Sequence, residues 1–245
     1  MQMVKINLFY LIITASLLNA ISGNVLANNF SDKLKSKIEN ALSSYYPDEF
    51  EINTTTSGKV IIQGTVNTLY DKLNIYDLIS RVKGVTGIDD FLNIDTPAVP
   101  DNVIKANVEE AIKDNSVILE PDKIKVNVSE GLVLLKGTVS YHREKIMAET
   151  LASWEDGVMG IDNEIDVLSP KVERSDENIK NVLNDIVENH FPLMMGKVVI
   201  KVKHGNVTVD GEANSLWEKD NLPKEFLKVL GVKSVVENLK INPEI

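Results

Sequence analysis

The chain has 245 residues, 43% of them apolar and 25% charged, which is enough apolar material for packed cores and argues against a disordered chain. Its net charge of −10 disfavours nonspecific attraction to nucleic acid or to anionic membrane, whose phosphates demand a basic surface. There is no cysteine, which excludes disulfides and thiolate metal sites.

The N-terminus differs from the rest. Lys5 is the only charge before Asp32, Ile6 to Leu18 is mostly apolar, and Val25-Leu26-Ala27 supplies compact residues for a signal peptidase. This is the order of a secretory signal, so residues 1–27 are expected to be removed after Ala27. The apolar stretch is short for a membrane span, which favours cleavage over a retained anchor. Without a cysteine the cleavage site cannot carry a lipid. The mature chain is expected in the periplasm with 25 basic and 36 acidic residues, a net −11.

The next elements occur three times. Leu34, Ile38, Ala41, Leu42 and Tyr45 follow helical spacing, with Ser31 as the expected N-cap. After them come Gly58 and Gly64, six apart in a run rich in β-branched residues. A second helix is predicted from about Leu69 to Val82, ending at Gly84-Val85, twenty positions after Gly64. A last strand carries Ile88, Leu92 and Ile94. In the second copy Ile104, Val108, Ala111 and Ile112 form the helix and Ile124, Val126 and Val128 alternate as a strand. Gly131, Gly137 and Gly157 then repeat the glycine spacing, and Ile161, Ile165 and Val167 close the unit. The third copy has Ile179, Val182, Leu183, Ile186 and Val187, then Val198, Ile200 and Val202, then Gly205, Gly211 and Gly231, then Val235, Leu239 and Ile241. The copies lie 73 and 74 residues apart. In the first copy Phe50 and Ile52 look out of phase, so a bulge or register shift is expected there. Gly64, Gly137 and Gly211 share the parity of the inward residues. A packing role is expected for them, through close helix approach or a bulge.

The fold class is therefore α+β, with tandem αββαβ units at 28–95, 101–168 and 175–245. Linkers at 96–100 and 169–174 are stiffened by Pro97, Pro100 and Pro170.

These landmarks resemble the BON domain, named for bacterial OsmY and nodulation proteins. The second copy fits best, with Gly131-Leu132-Val133-Leu134-Leu135-Lys136-Gly137-Thr138-Val139 and Gly157-Val158. The third departs, with Pro223 inside its second helix. The resemblance implies a mixed three-stranded sheet under two helices in each unit. It also implies a periplasmic or outer-membrane-associated protein tied to envelope integrity and osmotic stress. The expected partners are phospholipid or other envelope components.

Reactive chemistry is absent from the sequence pattern. His142, His190 and His204 are scattered, Asp89-Asp90 and Glu155-Asp156 lack the spacing of a calcium loop, and no phosphate-cradling or nucleophile-elbow motif occurs. The reading is a binding module with no catalytic residue, metal or cofactor.

Charge points to the third unit as the one to meet a membrane. Counted over 30–95, 101–168 and 171–245, the units carry −3, −7 and −1. Lys197, Lys201 and Lys203 alternate with the inward Val198, Ile200 and Val202 and form a basic stripe. Phe191, Met194 and Met195 lie in an apolar loop just before it, and Trp217 opens the next helix. Two readings stay open. In one, these residues meet anionic phospholipid. In the other, the apolar ones cap the core, the lysines solvate an open sheet face, and the chain is a periplasmic protein-interaction scaffold or chaperone-like protein without lipid binding.

Overall fold

The computed structural model describes residues 29–46, 50–168 and 174–242. The expected signal segment lies outside them, as do 169–173 of the second linker.

The first repeat opens with helix α1, residues 29–43. Strands β1 (Glu51–Thr54) and β2 (Lys59–Val66), helix α2 (Leu69–Ser80) and strand β3 (Gly87–Ile94) follow. The second holds α3 (Asp101–Asp114), β4 (Ile124–Ser129), β5 (Leu132–Val139), α4 (His142–Trp154) and β6 (Gly160–Val167). The third holds α5 (Asp176–His190), β7 (Val198–Lys203), β8 (Asn206–Ala213), α6 (Leu216–Leu227) and β9 (Ser234–Ile241). Each forms a three-stranded sheet in chain order, antiparallel in its hairpin and parallel across its second helix. The αββαβ prediction therefore holds in all three.

Alternation along the central strands decides which face is covered. Val60, Ile62 and Val66 are buried, while Lys59, Gln63 and Thr65 face outward. The helices lay their apolar stripes on the inward face: Leu34, Ile38 and Leu42; Ile104, Val108 and Ile112; Ile179, Leu183 and Val187. Tyr45, expected in the first stripe, is exposed because α1 has ended before it. Ser31 is not the N-cap. It lies inside α1, and its hydroxyl bonds Thr54 at 2.8 Å. Helix α6 runs on through Pro223 to Leu227.

The first repeat contains neither a bulge nor a shifted register. Ile52 pairs with Ile62 just as Val126 pairs with Leu135 and Ile200 with Val209. The phase break comes from a longer turn. Glu130-Gly131 and His204-Gly205 make two-residue turns with positive φ at both positions, as a type I′ hairpin requires. The Asp101 and Asp176 carboxylates accept the two amides of these turns at 2.9 and 3.0 Å and at 2.8 and 3.0 Å. The first repeat instead turns through Thr56, Ser57 and Gly58, closed by Thr55 and Lys59.

The glycine landmarks touch one another. A Cβ on Gly58, Gly131 or Gly205 would overlap the carbonyl oxygen of Gly84, Gly157 or Gly231. The hairpin glycines in turn accept amides from Thr86, Met159 and Lys233 at 2.9, 2.9 and 2.8 Å. The Gly-Val glycine is not the helix C′ residue, since α2 ends at Ser80, α4 at Trp154 and α6 at Leu227. It shapes the turn that follows. Close helix approach does not explain Gly137 and Gly211 either. Their missing side chains make room for the carbonyls of Lys123 and Lys197, where the first strand begins, and Gly64 makes room for the Phe50 ring.

The repeats are not independent beads. Leu69, at the start of α2, lies in the core of the second repeat, and Leu216, at the start of α6, lies in that of the first. Burial of one leucine contributes about 2 kcal/mol to each seam. The Gly157 amide donates to Thr96 Oγ1 at 2.8 Å, so the first linker is part of a seam. Tyr70 and Trp154 meet edge to face at 5.7 Å. Between the first and third repeats Tyr76 donates to Asp220 at 3.2 Å.

Two measurements check this account. Gly137→Ala should cost about 2–4 kcal/mol, from positive-φ strain and a forced backbone shift, against about 1 kcal/mol for Gly196→Ala. Gly196 also has positive φ, but nothing lies within 4 Å of its Cβ position. Urea unfolding of the two variants gives the comparison. The second concerns Asp176, whose carboxyl is held below its ordinary 3.8 by the amides of His204 and Gly205. A depressed carboxyl stabilises above its unfolded value and loses that effect as the pH falls through its folded value. Asp176→Asn should thus lower the melting temperature at neutral pH, and the gap should shrink below about pH 4. A gap constant with pH would contradict this role.

Candidate functional site

The outward row of β7 carries the predicted basic stripe, and the structure divides the residues proposed around it. Phe191 and Met194 belong to the third core, at 1% and 0% exposure. The 3₁₀ turn Pro192–Met194 folds them inward. Leu193 and Met195, on either side of Met194, point out at 65% and 53%. Trp217 stacks on Phe191 at 5.4 Å and holds the Arg81 guanidinium of the first repeat 4.0 Å from its ring centroid. It is a half-buried residue of the seam between the third and first repeats.

The three lysines also differ. Lys197 Nζ bonds Asn214 Oδ1 at 2.6 Å, and Asn214 donates onward to Leu193 O and Glu218 Oε2. This lysine ties the loop before β7 to the start of α6. Lys201 pairs with Asp210 at 3.0 Å, and the pair is exposed enough to contribute little to stability. Asp210 also accepts from Asn238 at 2.8 Å, and these bonds hold its carboxyl low. Lys203 makes no ion pair among the described residues. Val199 lies between Lys197 and Lys201 on the same outward row at 57% exposure. Val199, Lys201 and Lys203 thus share the exposed outward row of β7, and Leu193 and Met195 are exposed in the loop that precedes it.

Two sets of polar residues escaped the sequence reading, although fixed offsets mark them. Seven positions after the second glycine stand Asp71, Glu144 and Glu218. Glu144, 1% exposed, accepts the amides of Tyr141 and Leu119 at 3.0 and 2.9 Å and ties the loop after α3 to the start of α4. Glu218 accepts the Asn214 amide at 2.6 Å, and Asp71 accepts from Thr68 and Tyr46. These are structural carboxylates with their bonds satisfied.

The second set seals an edge. The residues after those acids are Lys72, Lys145 and Lys219. Lys72 donates to Leu92 O at 2.7 Å and Lys145 to Ile165 O at 2.9 Å. The amides of Leu92, Ile165 and Leu239 are taken by the side chains two residues earlier, Asp90, Asn163 and Glu237, at 2.8, 3.3 and 2.9 Å. Lys219 lies 3.9 Å from Glu237. Strands β3, β6 and β9 are sheet edges, where such groups would otherwise recruit another strand. With amide and carbonyl both met, the middle of β3 and of β6 is a poor site for strand addition.

Among the described residues no group of three or more His, Cys, Asp or Glu could hold a metal, and no helix is long and apolar enough to cross a membrane. His142 lies in a cleft between the second and third repeats, and burial and nearby Lys145 push its imidazole below its ordinary 6.5.

Comparisons with known proteins bear on the whole arrangement. Among solved structures the chain is similar to the C-terminal domain of CdsD, the structural protein of the type III secretion system of Chlamydia trachomatis. Identity is 16%, coverage 84% of this chain and 96% of that one, and the TM-score 0.24. It is also similar to the PrgH periplasmic domain, at 8% identity, covering 82% and 99%, with a TM-score of 0.22. At such scores the likeness has no bearing on function. Among curated proteins no sequence matches. The BON domain matches residues 31–96, 100–169 and 175–243. BON domains are non-enzymatic binding domains of periplasmic and envelope-associated proteins. With three such matches covering most of its length, one on each αββαβ repeat, the chain belongs to the BON domain family.

Proposed function

We propose that this is a periplasmic, non-enzymatic binding protein of the envelope, exported by a signal segment cleaved after Ala27, whose third repeat touches anionic phospholipid. The observation that carries this reading is the exposed strip on and before β7. Val199 offers an apolar side chain on the same outward row as Lys201 and Lys203, and Leu193 and Met195 are exposed in the loop before that strand. An interfacial contact needs both terms: apolar burial into the headgroup region and attraction to lipid charge. The third repeat is also the least acidic, so least opposed by the protein's own field. Repeat two, with outward Asp162, Glu164 and Asp166 on β6, would face away from such a surface or meet a basic partner.

Sedimentation of the exported chain with phosphatidylglycerol vesicles tests this. Binding should weaken as salt screens it. Each basic side chain near an anionic surface contributes about 1 kcal/mol, so K201E/K203E, which removes two of them and adds repulsion, should weaken binding at least about 30-fold. L193S/M195S should weaken it at every salt concentration. Lys197 is left intact because it holds Asn214. If the wild type ignores the vesicles, or the double reversal binds equally well, the lipid reading fails. A periplasmic protein recovered by crosslinking would then favour the scaffold reading.

A further inference from the structure

The three seams use the same positions in the same sense. Five residues after the second glycine of each hairpin, the first residue of the second helix faces another repeat. Leu69 of repeat one enters the core of repeat two, and Leu216 of repeat three enters that of repeat one. The sixth residue meets the one three positions before the next repeat's Gly-Val glycine. These pairs are Tyr70 with Trp154 and Trp217 with Arg81. Repeat one thus leans on two, and three leans on one. Contact from two to three would close the chain into a ring with pseudo-threefold symmetry.

That third seam is built differently. The position of the two leucines holds His142. The pair that should stack is Arg143 and Lys228, two cations. They turn away from each other, Arg143 to the ring of its own Tyr141 at 4.7 Å and Lys228 to Glu225. This seam holds a cleft of about 370 Å³. His142 and Lys145 line it from repeat two, and Val232 and Lys233 from repeat three.

We propose that this cleft binds a phosphate ester or similar small oxyanion, whose charge bridges repeats two and three. Cations approach it from both sides. Lys145 uses one of its three donors on Ile165 O, which leaves others for a ligand. Lys233 is exposed and makes no ion pair among the described residues, though its charge reaches Asp176. Asp166 is the one carboxylate among the described lining residues, and its charge opposes the anion that the lysines attract. Ile165, Val167 and Val232 supply apolar wall. A cleft of this volume has room for a phosphate with a small esterified group. The site is separate from the β7 strip, and either can fail without the other.

His142 reports on occupancy. Lys145 and burial disfavour its charged form. An anion in the cleft reverses the local field, so binding should raise its titration point, and by linkage the anion should bind more tightly as the pH falls. The protein has only three histidines, so imidazole NMR signals can be assigned by substitution. The full exported chain is titrated with pH alone, with glycerol 3-phosphate, and with phosphatidylglycerol vesicles. An upward shift of His142 with the soluble ester identifies a free phosphate ester as the ligand. A shift with vesicles alone identifies a lipid headgroup. Either shift should be lost in K233E, with affinity down about tenfold or more, the effect of one charge-assisted hydrogen bond, and the shift with the soluble ester should survive in K201E/K203E. If neither probe moves His142, or K233E responds as the wild type does, the cleft is not an anion site.

Discussion

Everything in each repeat hangs on one close approach of two turns. The hairpin turn and the turn after the second helix lie at the same end of the sheet. A backbone amide of the second donates to the carbonyl of the first turn's glycine, and that glycine sits where any side chain would strike the other turn's carbonyl. This contact places β3, β6 and β9 beside the central strand and so sets the register of the parallel pair. The second helix must then cross back over the sheet, which buries its apolar side and aims its first residues outward at a neighbouring repeat. Local backbone geometry thus determines where the seams form.

The sequence made this legible to an uneven degree. Periodicity and glycine spacing were enough for the architecture, because a pleated half-buried strand and an amphipathic helix each write their period directly into the chain. The first hairpin was misread because one extra turn residue between Ile52 and Gly58 imitates a register shift. Ser31 looks like a cap, yet its hydroxyl serves Thr54 across space, a partner 23 residues away that spacing cannot show. For the candidate strip, alternation along β7 correctly put its lysines on one face. It could not say that Phe191 and Met194 turn inward, since a 3₁₀ turn has neither the helical nor the strand period. Nor could it show that Trp217 is engaged by Arg81 from another repeat.

The repeated polar residues teach a different lesson. Asp71, Glu144 and Glu218, and the lysines after them, stand at constant offsets, so aligning the copies against one another would have exposed them. Apolar periodicity carries no trace of them. Their constancy within the chain has a physical cause. A carboxylate taken from water must be met by donors, which each copy supplies, and an edge carbonyl left open invites a foreign strand, which the lysines of the first two copies prevent.

Positions that differ between copies are informative for the opposite reason. Leu69, His142 and Leu216 are equivalent in the fold and unequal in chemistry. Two apolar residues at such a place bind repeats together through buried area, which is insensitive to pH and salt. A histidine flanked by Arg143 and Lys145 cannot do that, because charge brought into a seam must be hydrated or paired. The array is therefore tight around the first repeat and looser between the second and third. A string of free domains would gain strength through many weak contacts at variable geometry. Here two seams fix the outward sheet faces relative to one another, so a partner meets a surface of set shape. The polar seam is then where a change in relative position costs least, since opening it exposes little apolar surface to water.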